Sequence, residues 1–591
     1  MDLKGIGVAV LLASLALAGC IEDEGGDEPL VGPATAQRLA TDEWKAMLSE
    51  PLFDGTVETL HRMTAEDGTD LALTLYLPAG LPSDAQIPTL LEITPYQTLD
   101  RGLGSAFSMG GEVSPGGAWE DVVLRGAAFV RADARGGHAS GGCLDFGGTA
   151  DRSDARLFAD WIREQPWSNG VIVTDGVSHP GMGSVVAHVA DAELTAALAH
   201  APVVSYYQDE WLQGAKFEDQ LNGYLYQAID LAPHTNPTDP FAAAAQVAPC
   251  HGQMVLDYAP VDGEFHELWQ DRDLALQLEN GNIEPNLAPI LLTHGFVDVN
   301  VHPDHSQLYW DALPDDAPKY AIMGWWYHGW PDMDGHPAET FADIRHRWMD
   351  ATLLGIDNGL WDEPRILVED SQGTWHLSHD WPLDGSERLT FYPDGEALAE
   401  APGAEGSLSY EDTLETYRND WDGSVSFATE PLPAARLVTG APTLHLTASS
   451  SHDATKWVVY LFDEAPDGSR TRITHGYADS HLREPRTPGW EPLTPGEADT
   501  WTIPLQPTAV VLEEGHRLVL MVASQDSRNM DALPTVGSTC MEDFRGGCYD
   551  PSGILPATSV GQATNTVHTG PEGTWLELAW VDPAATMKAT E

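Results

Sequence analysis

The sequence predicts an α/β domain on a mainly parallel sheet, interrupted by a helical insertion and followed by an antiparallel β-sandwich. Three observations predict it. Nearly continuous apolar runs recur at PTLLEITPY (88–96), GAAFVRAD (126–133), GVIVTDGVS (170–178), APILLTHG (288–295) and KYAIMGWW (319–326). Such runs suit strands buried on both faces of a parallel sheet. Helical periodicity alternates with them: Asp151 to Gln165 places Leu157, Phe158, Trp161 and Ile162 on one face, and Ala338 to Leu354 does the same with Phe341, Ile344 and Trp348. Beyond Gly355 the period becomes two, as in Thr443–Thr447, Lys456–Phe462 and Arg517–Val522, with Gly-, Pro- and Asp-rich turns between.

The elements group accordingly. Residues 51–204 and 287–358 form the α/β domain. Residues 205–286 break the alternation with helical stretches, several prolines and no convincing strand, which reads as an inserted helical cap. Residues 359–581 form the sandwich, with the short alternating strands of a jelly roll.

Composition limits the function. Against 29 Lys and Arg stand 91 Asp and Glu in 591 residues, a net charge of −62. A nucleic-acid binder that neutralises phosphates needs clustered cations, so nucleic acid is excluded as a partner. A 42% apolar content with 20 Trp, 16 Tyr and 14 Phe excludes disorder. Only six of the cations are Lys, at positions 4, 45, 216, 319, 456 and 588. Excess carboxylate with little lysine is the pattern of proteins working at high salt, and is shared with ordinary acidic exported proteins.

The N-terminus explains export. Lys4 precedes an apolar run from Ile6 to Ala18, too short to span a membrane and suited to a signal peptide. It ends in Leu17-Ala18-Gly19-Cys20, which resembles a lipobox. On that reading residues 1–19 are a lipoprotein signal peptide, Cys20 is lipidated, and 20–50 is an acidic, flexible tether to the outer face of the membrane. Four cysteines remain, Cys143, Cys250, Cys540 and Cys548, enough for two disulfides with three connectivities. The short Cys540–Cys548 spacing favours a local staple, leaving Cys143 with Cys250.

The strongest chemical signal is Gly170-Val-Ile-Val-Thr-Asp-Gly-Val-Ser-His-Pro-Gly181, a strand entering a sharp turn with Ser178 at its tip and a helix following. This is a nucleophile-elbow context, although Pro180 stands where the second glycine belongs and Gly181 lies one later. A serine nucleophile needs a general base and an acid that orients it, here in the chain order serine, acid, histidine. Asp298 follows the strand APILLTHG, and His328 follows AIMGWW. In a parallel sheet these strand ends share one edge, where α/β active sites form. The His302-x-Asp304-His305 loop lies directly after the proposed acid and is not read as a metal site. No phosphate loop or dinucleotide fingerprint is present, so neither metal nor cofactor is expected.

The elbow, Thr94-Pro95-Tyr96, Arg131-Ala-Asp-Ala-Arg-Gly136, His294-Gly-Phe-Val-Asp298 and Gly324-Trp-Trp-Tyr-His328-Gly329 resemble the cocaine-esterase and X-Pro dipeptidyl-peptidase-like serine hydrolases. The resemblance continues into the second half through SFATEPLPAARLVTGAPTLHLTAS and covers about 50–581. It implies an α/β hydrolase fold with an inserted helical cap and a C-terminal jelly-roll-like β-sandwich. It also implies Ser178 as nucleophile, Asp298 as orienting acid and His328 as base, with Tyr96 and the His179 backbone N–H forming the oxyanion hole. One departure is His179, where the family usually has Tyr. Relatives acting on α-amino-acid esters bind the ammonium group with clustered carboxylates, and Asp209-Glu210-Trp211 resembles one part of that cluster. The other part is missing, because Val299, Asn300 and Val301 follow the acid. Trp211, Trp325 and Trp326 are candidates for an apolar pocket or for core.

The expected function is therefore an exported, lipid-anchored serine hydrolase cleaving acyl esters, amides or short peptides. The competing reading is a surface carbohydrate- or polymer-binding lipoprotein with an inactive hydrolase domain.

Overall fold

The computed structural model describes residues 46–95, 118–137, 139–191, 193–216, 263–298, 300–329, 338–413, 423–524 and 563–588. Tyr96, Cys20, Cys250, Cys540 and Cys548 lie outside them, as does the Glu210 side chain.

The chain opens with β1 (Thr56–Thr64), β2 (Asp70–Pro78), β3 (Ile87–Thr94), α1 (Ala118–Leu124), β4 (Ala128–Asp133), α2 (Thr149–Arg163), β5 (Ser168–Val177), α3 (His179–Ala190) and β6 (Ala196–His200). The insertion follows with α4 (Tyr206–Glu210), β7 (Trp211–Leu212), β8 (Ala215–Lys216), α5 (Glu267–Asp271) and α6 (Leu274–Glu279). The sheet resumes with β9 (Ile290–Gly295), α7 (Asp304–Ala312), β10 (Lys319–Gly324), α8 (Ala338–Thr352), β11 (Ile366–Glu369) and β12 (Trp375–Ser378).

These strands build one sheet in the order β1-β2-β4-β3-β5-β6-β9-β10-β11-β12. From β4 to β11 every pairing is parallel. The edges β1, β2 and β12 run antiparallel. The parallel strands are the predicted apolar runs, and they are buried because helices cover both faces; β6 and β9 are buried at every position. Helix α2 presents Phe158 and Ile162 to this core, as its periodicity predicts.

The second half contains β13 (Glu387–Asp394), β14 (Ala397–Ala399), β15 (Gly406–Asp412), β16 (Ser424–Ala428), β17 (Arg436–Ser450), β18 (Lys456–Glu464), β19 (Arg470–Asp479), β20 (Asp499–Pro504), β21 (Thr508–Leu512), β22 (Arg517–Ala523), β23 (Ala563–Thr569), β24 (Trp575–Val581) and β25 (Met587–Lys588). One layer runs β15-β23-β17-β24-β13, with β20 and β21 also on β17; the other runs β14-β16-β22-β18-β19. Their inward residues share one core: Leu444 and Leu446 of β17 with Trp457, Val459 and Leu461 of β18, Leu520 and Val522 of β22, and Trp501 of β20. Every second residue pointing inward is what the period-two sequence dictates.

Two details differ from the sequence expectation. The sandwich does not take all of 359–581, because β11 and β12 extend the α/β sheet: β11 pairs with β10, and Ile366 and Val368 are fully buried in the first core. The β25 strand returns to the same sheet to pair with β12. The insertion also contains a strand pair, the tight β7–β8 hairpin, turning at Gln213 and Gly214 with positive φ at both. Leu212 and Ala215 pack there on Tyr460, Phe462 and Tyr477 of the sandwich, and the Asp479 N–H donates to the Gln213 carbonyl at 2.9 Å. The described part of the insertion is thus bolted to the sandwich.

Candidate active site

Ser178 sits between β5 and α3 with φ 64° and ψ −127°, a backbone conformation an L-residue adopts only under constraint. The constraint is visible. The Ser178 N–H donates to the His200 carbonyl at 2.9 Å, and the Ser178 carbonyl accepts from the Met182 N–H at 2.9 Å, opening the helix. A Cβ on Gly176 would stand 2.3 Å from the Pro180 carbonyl oxygen, and one on Gly181 would stand 2.6 Å from the His200 carbonyl oxygen. The displaced glycine of the motif is therefore at the position that requires it. The His179 N–H lies in the first turn of the twelve-residue α3, where the helix dipole favours negative charge. Its side chain is buried edge-on to Phe146, and burial lowers its pKa to about 4, so the ring is neutral.

Asp298 lies just past β9 and is buried. Its Oδ2 accepts from His328 Nδ1 at 2.8 Å, and its Oδ1 accepts the N–H groups of Asn300 and Val301 at 2.9 and 3.0 Å. Burial opposes the charge, but the His328 and His294 imidazoles outweigh it and hold the carboxyl far below its ordinary value. His294 stands behind it with Nε2 3.5 Å from Oδ2, too long for a good hydrogen bond. That nitrogen donates instead to the Val301 carbonyl at 2.9 Å, while Nδ1 accepts from the Ser306 hydroxyl at 2.7 Å. The loop carrying Asp298 is thereby pinned.

His328 follows β10, and its Nε2 makes no hydrogen bond to a described residue. The two loops approach closely at Gly295, where a Cβ would lie 1.9 Å from the Trp326 carbonyl oxygen. Under the His328 loop, Glu369 at the end of β11 accepts the Trp325 N–H at 3.2 Å. Burial and the neighbouring Asp370 push its pKa up to about 8, so this carboxyl is largely neutral near pH 7.

The other candidates are placed as follows. Trp325 lies at the joint between the domains: its Nε1 donates to the Ala509 carbonyl of the sandwich at 3.0 Å, and its ring meets Phe296 at 5.8 Å. Trp326 is a core residue and not a pocket wall, fully buried and stacked on Trp375 with centroids 6.4 Å apart. Trp211 is buried beside Gly263. Asp209 is buried with its carboxylate 3.8 Å from His305 Nε2. Cys143 is disulfide-bonded, and its partner lies outside the described residues. Of the RADARG run, Arg135 grips Asp154 with both arms at 2.7 and 2.8 Å. Gly137 packs its backbone on Pro95, with only 2.9 Å between a Cβ placed there and the Pro95 Cα.

A small cleft between the domains is lined by Asp298, His302 and Trp325 on one side and Arg472, His475 and Gln506 on the other. Sequence reasoning gave His294 no role beyond its place in the His294–Asp298 run and missed Glu369, whose signal was a carboxylate ending an apolar strand.

Comparison with known proteins identifies the family and the fold. Residues 67–330 match the family model of the X-Pro dipeptidyl-peptidase (S15 family), and residues 358–576 match the X-Pro dipeptidyl-peptidase C-terminal non-catalytic domain. A putative Xaa-Pro dipeptidyl-peptidase of Streptomyces avermitilis is 25% identical over 528 residues, covering 76% of this chain and 75% of that protein. The cocaine esterase of a Rhodococcus species is 25% identical over 582 residues, covering 86% and 95%. Among solved structures, an aminopeptidase from a marine sediment Thaumarchaeota archaeon superposes with a TM-score of 0.65 at 19% identity, over 95% of this chain and all of that one. A CocE/NonD family hydrolase from Staphylococcus aureus gives 0.67 at 15%, over 90% and 96%. At these identities the structures speak for the fold alone.

Proposed function

Because the chain belongs to the X-Pro dipeptidyl-peptidase and cocaine-esterase family of serine hydrolases, we propose that it cleaves acyl ester or amide bonds through an acyl-enzyme on Ser178, with His328 as base and Asp298 as its orienting acid. The observation that carries this reading is the constrained Ser178 turn on the same sheet edge as an Asp298–His328 hydrogen bond of 2.8 Å. His328 Nδ1 is the donor to the carboxylate, which leaves Nε2 unprotonated and able to take the serine proton. The tetrahedral oxyanion then forms beside the His179 N–H at the start of α3, with the Tyr96 hydroxyl as second donor. Such a donor is worth roughly 3 to 4 kcal/mol.

The relatives divide between peptidase and esterase names, and the family resemblance leaves the ammonium-binding carboxylates incomplete at Val299, Asn300 and Val301. This favours acyl esters and amides without an obligatory free amine. The enzyme works outside the cell, held by a lipid on Cys20; the support is the short apolar run ending in Leu17-Ala18-Gly19-Cys20.

The test compares p-nitrophenyl acyl esters with Ala-Pro-p-nitroanilide on the full chain, with fluorophosphonate labelling of wild type and Ser178→Ala. Turnover and labelling should both vanish in the variant while its circular dichroism is unchanged. Equal activity in the two proteins would end the assignment. Preference for the dipeptide anilide would replace the esterase reading by dipeptidyl-peptidase. Labelling cells with a palmitate analogue, with Cys20→Ser as control, tests the anchor.

A further inference from the structure

Beneath the nucleophile turn lies a buried polar cluster that the mechanism does not use. Asp175 stands in an apolar strand, three residues before Ser178, and is buried. Its Oδ2 accepts two N–H groups of Arg345 on α8, the Nε one at 2.9 Å. Its Oδ1 lies 3.2 Å from Nε2 of His200, a close but bent approach. His200 is fully buried on β6, and its Nδ1 is 2.6 Å from the hydroxyl of Thr293 on β9. Burial opposes the charge on Asp175, yet Arg345 and His200 hold its pKa below the ordinary value. Burial lowers His200 to about 4. Near pH 7 the cluster is therefore a carboxylate, a guanidinium and a neutral imidazole. With Nε2–H facing the carboxylate, Nδ1 accepts the Thr293 hydroxyl proton.

The position of the cluster matters more than its existence. Val177, His200 and Thr293 form one rung across β5, β6 and β9. The next residue on β5 is Ser178, whose N–H is held by the carbonyl of that same His200. Five residues beyond Thr293 is Asp298. Arg345 comes from α8, the helix after the His328 loop, and Phe341 of α8 meets the His200 ring edge-on at 5.6 Å. Four side chains thus connect β5 and β9, which lead into the proposed nucleophile and acid, with β6 and α8. Stability alone does not account for them, since apolar residues commonly replace a buried ion pair without loss.

Resting on the reading of Ser178 as nucleophile, we propose that Arg345, Asp175, His200 and Thr293 are positioning residues that fix the nucleophile turn against the strand bearing the acid. They touch no reacting atom. They set the distance over which the serine proton must travel, and misplacement of about 1 Å costs a factor of about a hundred in rate.

Thr293→Val removes one hydroxyl at nearly constant shape, and Thr293→Ser restores it. Asp175→Asn removes the charge. For each variant kcat and KM on a p-nitrophenyl ester are measured per active site, titrated by fluorophosphonate, together with the labelling rate and the melting temperature. Thr293→Val should lose about tenfold in kcat and in labelling rate with KM within about twofold, and Thr293→Ser should recover most of it. Asp175→Asn should lose more, and if it fails to fold, the Thr293 pair decides. Rates per active site within about twofold of wild type for Thr293→Val, whatever happens to melting, would reduce the cluster to a structural role and overturn the proposal. A wild-type protein inert to ester and to fluorophosphonate would overturn the serine-hydrolase reading and this proposal with it. An active wild type with unaffected variants overturns this proposal alone.

Discussion

Replacing Glu369 by Gln changes one proton-binding group directly under the His328 loop while keeping an oxygen for the Trp325 N–H. In the unfolded chain the carboxyl titrates near 4.5, and in the fold burial and Asp370 move it to about 8. Between those values the folded protein holds a proton that the unfolded chain has released. Stability from this group is therefore complete below pH 4.5 and is lost as pH rises towards 8. Moving the carboxyl from 4.5 to about 8 sets the loss on the order of 5 kcal/mol. Gln does not titrate, so the variant escapes that loss. Other shifted carboxyls, such as Asp151 at about 7, cancel in the comparison. The assay is urea unfolding of both proteins from pH 4.5 to 8.5, followed by tryptophan fluorescence. The variant should gain several kcal/mol on wild type across that range. Parallel curves would mean that Glu369 ionises like an exposed glutamate, and the neutral carboxyl behind Trp325 would have to be abandoned.

Asp298→Asn should cut kcat about ten-thousandfold, some 5 kcal/mol in the barrier, with little change in KM. An amide oxygen that accepts Asn300 and Val301 turns its NH2 to His328, which forces the proton onto Nε2; a loss under about tenfold in steady-state kinetics would contradict this. Gly295→Ala puts a methyl against the Trp326 carbonyl and should abolish fluorophosphonate labelling, whereas labelling at the wild-type rate would show that the loops are not in contact there. With a net charge of −62, activity and melting temperature should rise from low to molar KCl as carboxylate repulsion is screened, and a flat or falling profile would remove the high-salt reading.

What the sequence revealed follows from which forces are local. Strands β3, β4, β5, β9 and β10 were readable because burial on both faces leaves an unbroken apolar run. The β11 and β12 strands were assigned to the wrong sheet because four-residue strands before a sandwich look like part of it. Only pairing with β10 distinguishes them. Ser178, Asp298 and His328 could be proposed from their order, since each lies one to four residues past the end of a parallel strand. Asp175 was visible as a carboxylate inside VIVTDGVS, but its partner is 170 positions away and no local pattern joins them. Trp326, left open by the sequence between pocket and core, sits next to Trp325 but points to the opposite side and into the core.

The return of β25 to β12 has a consequence for how the molecule is made. The whole sandwich lies between the last two strands of the α/β sheet, so it is tethered at both ends and cannot swing about a single linker. During synthesis the proposed acid and base emerge about 290 and 260 residues before Met587 and Lys588, which add the final strand to that sheet. The catalytic half can begin to fold on the ribosome, but its outer edge stays open until the sandwich has been made behind it. Released chains truncated after residue 581 therefore carry every strand of the sandwich and an uncovered β12, and the edge closes only with the last strand.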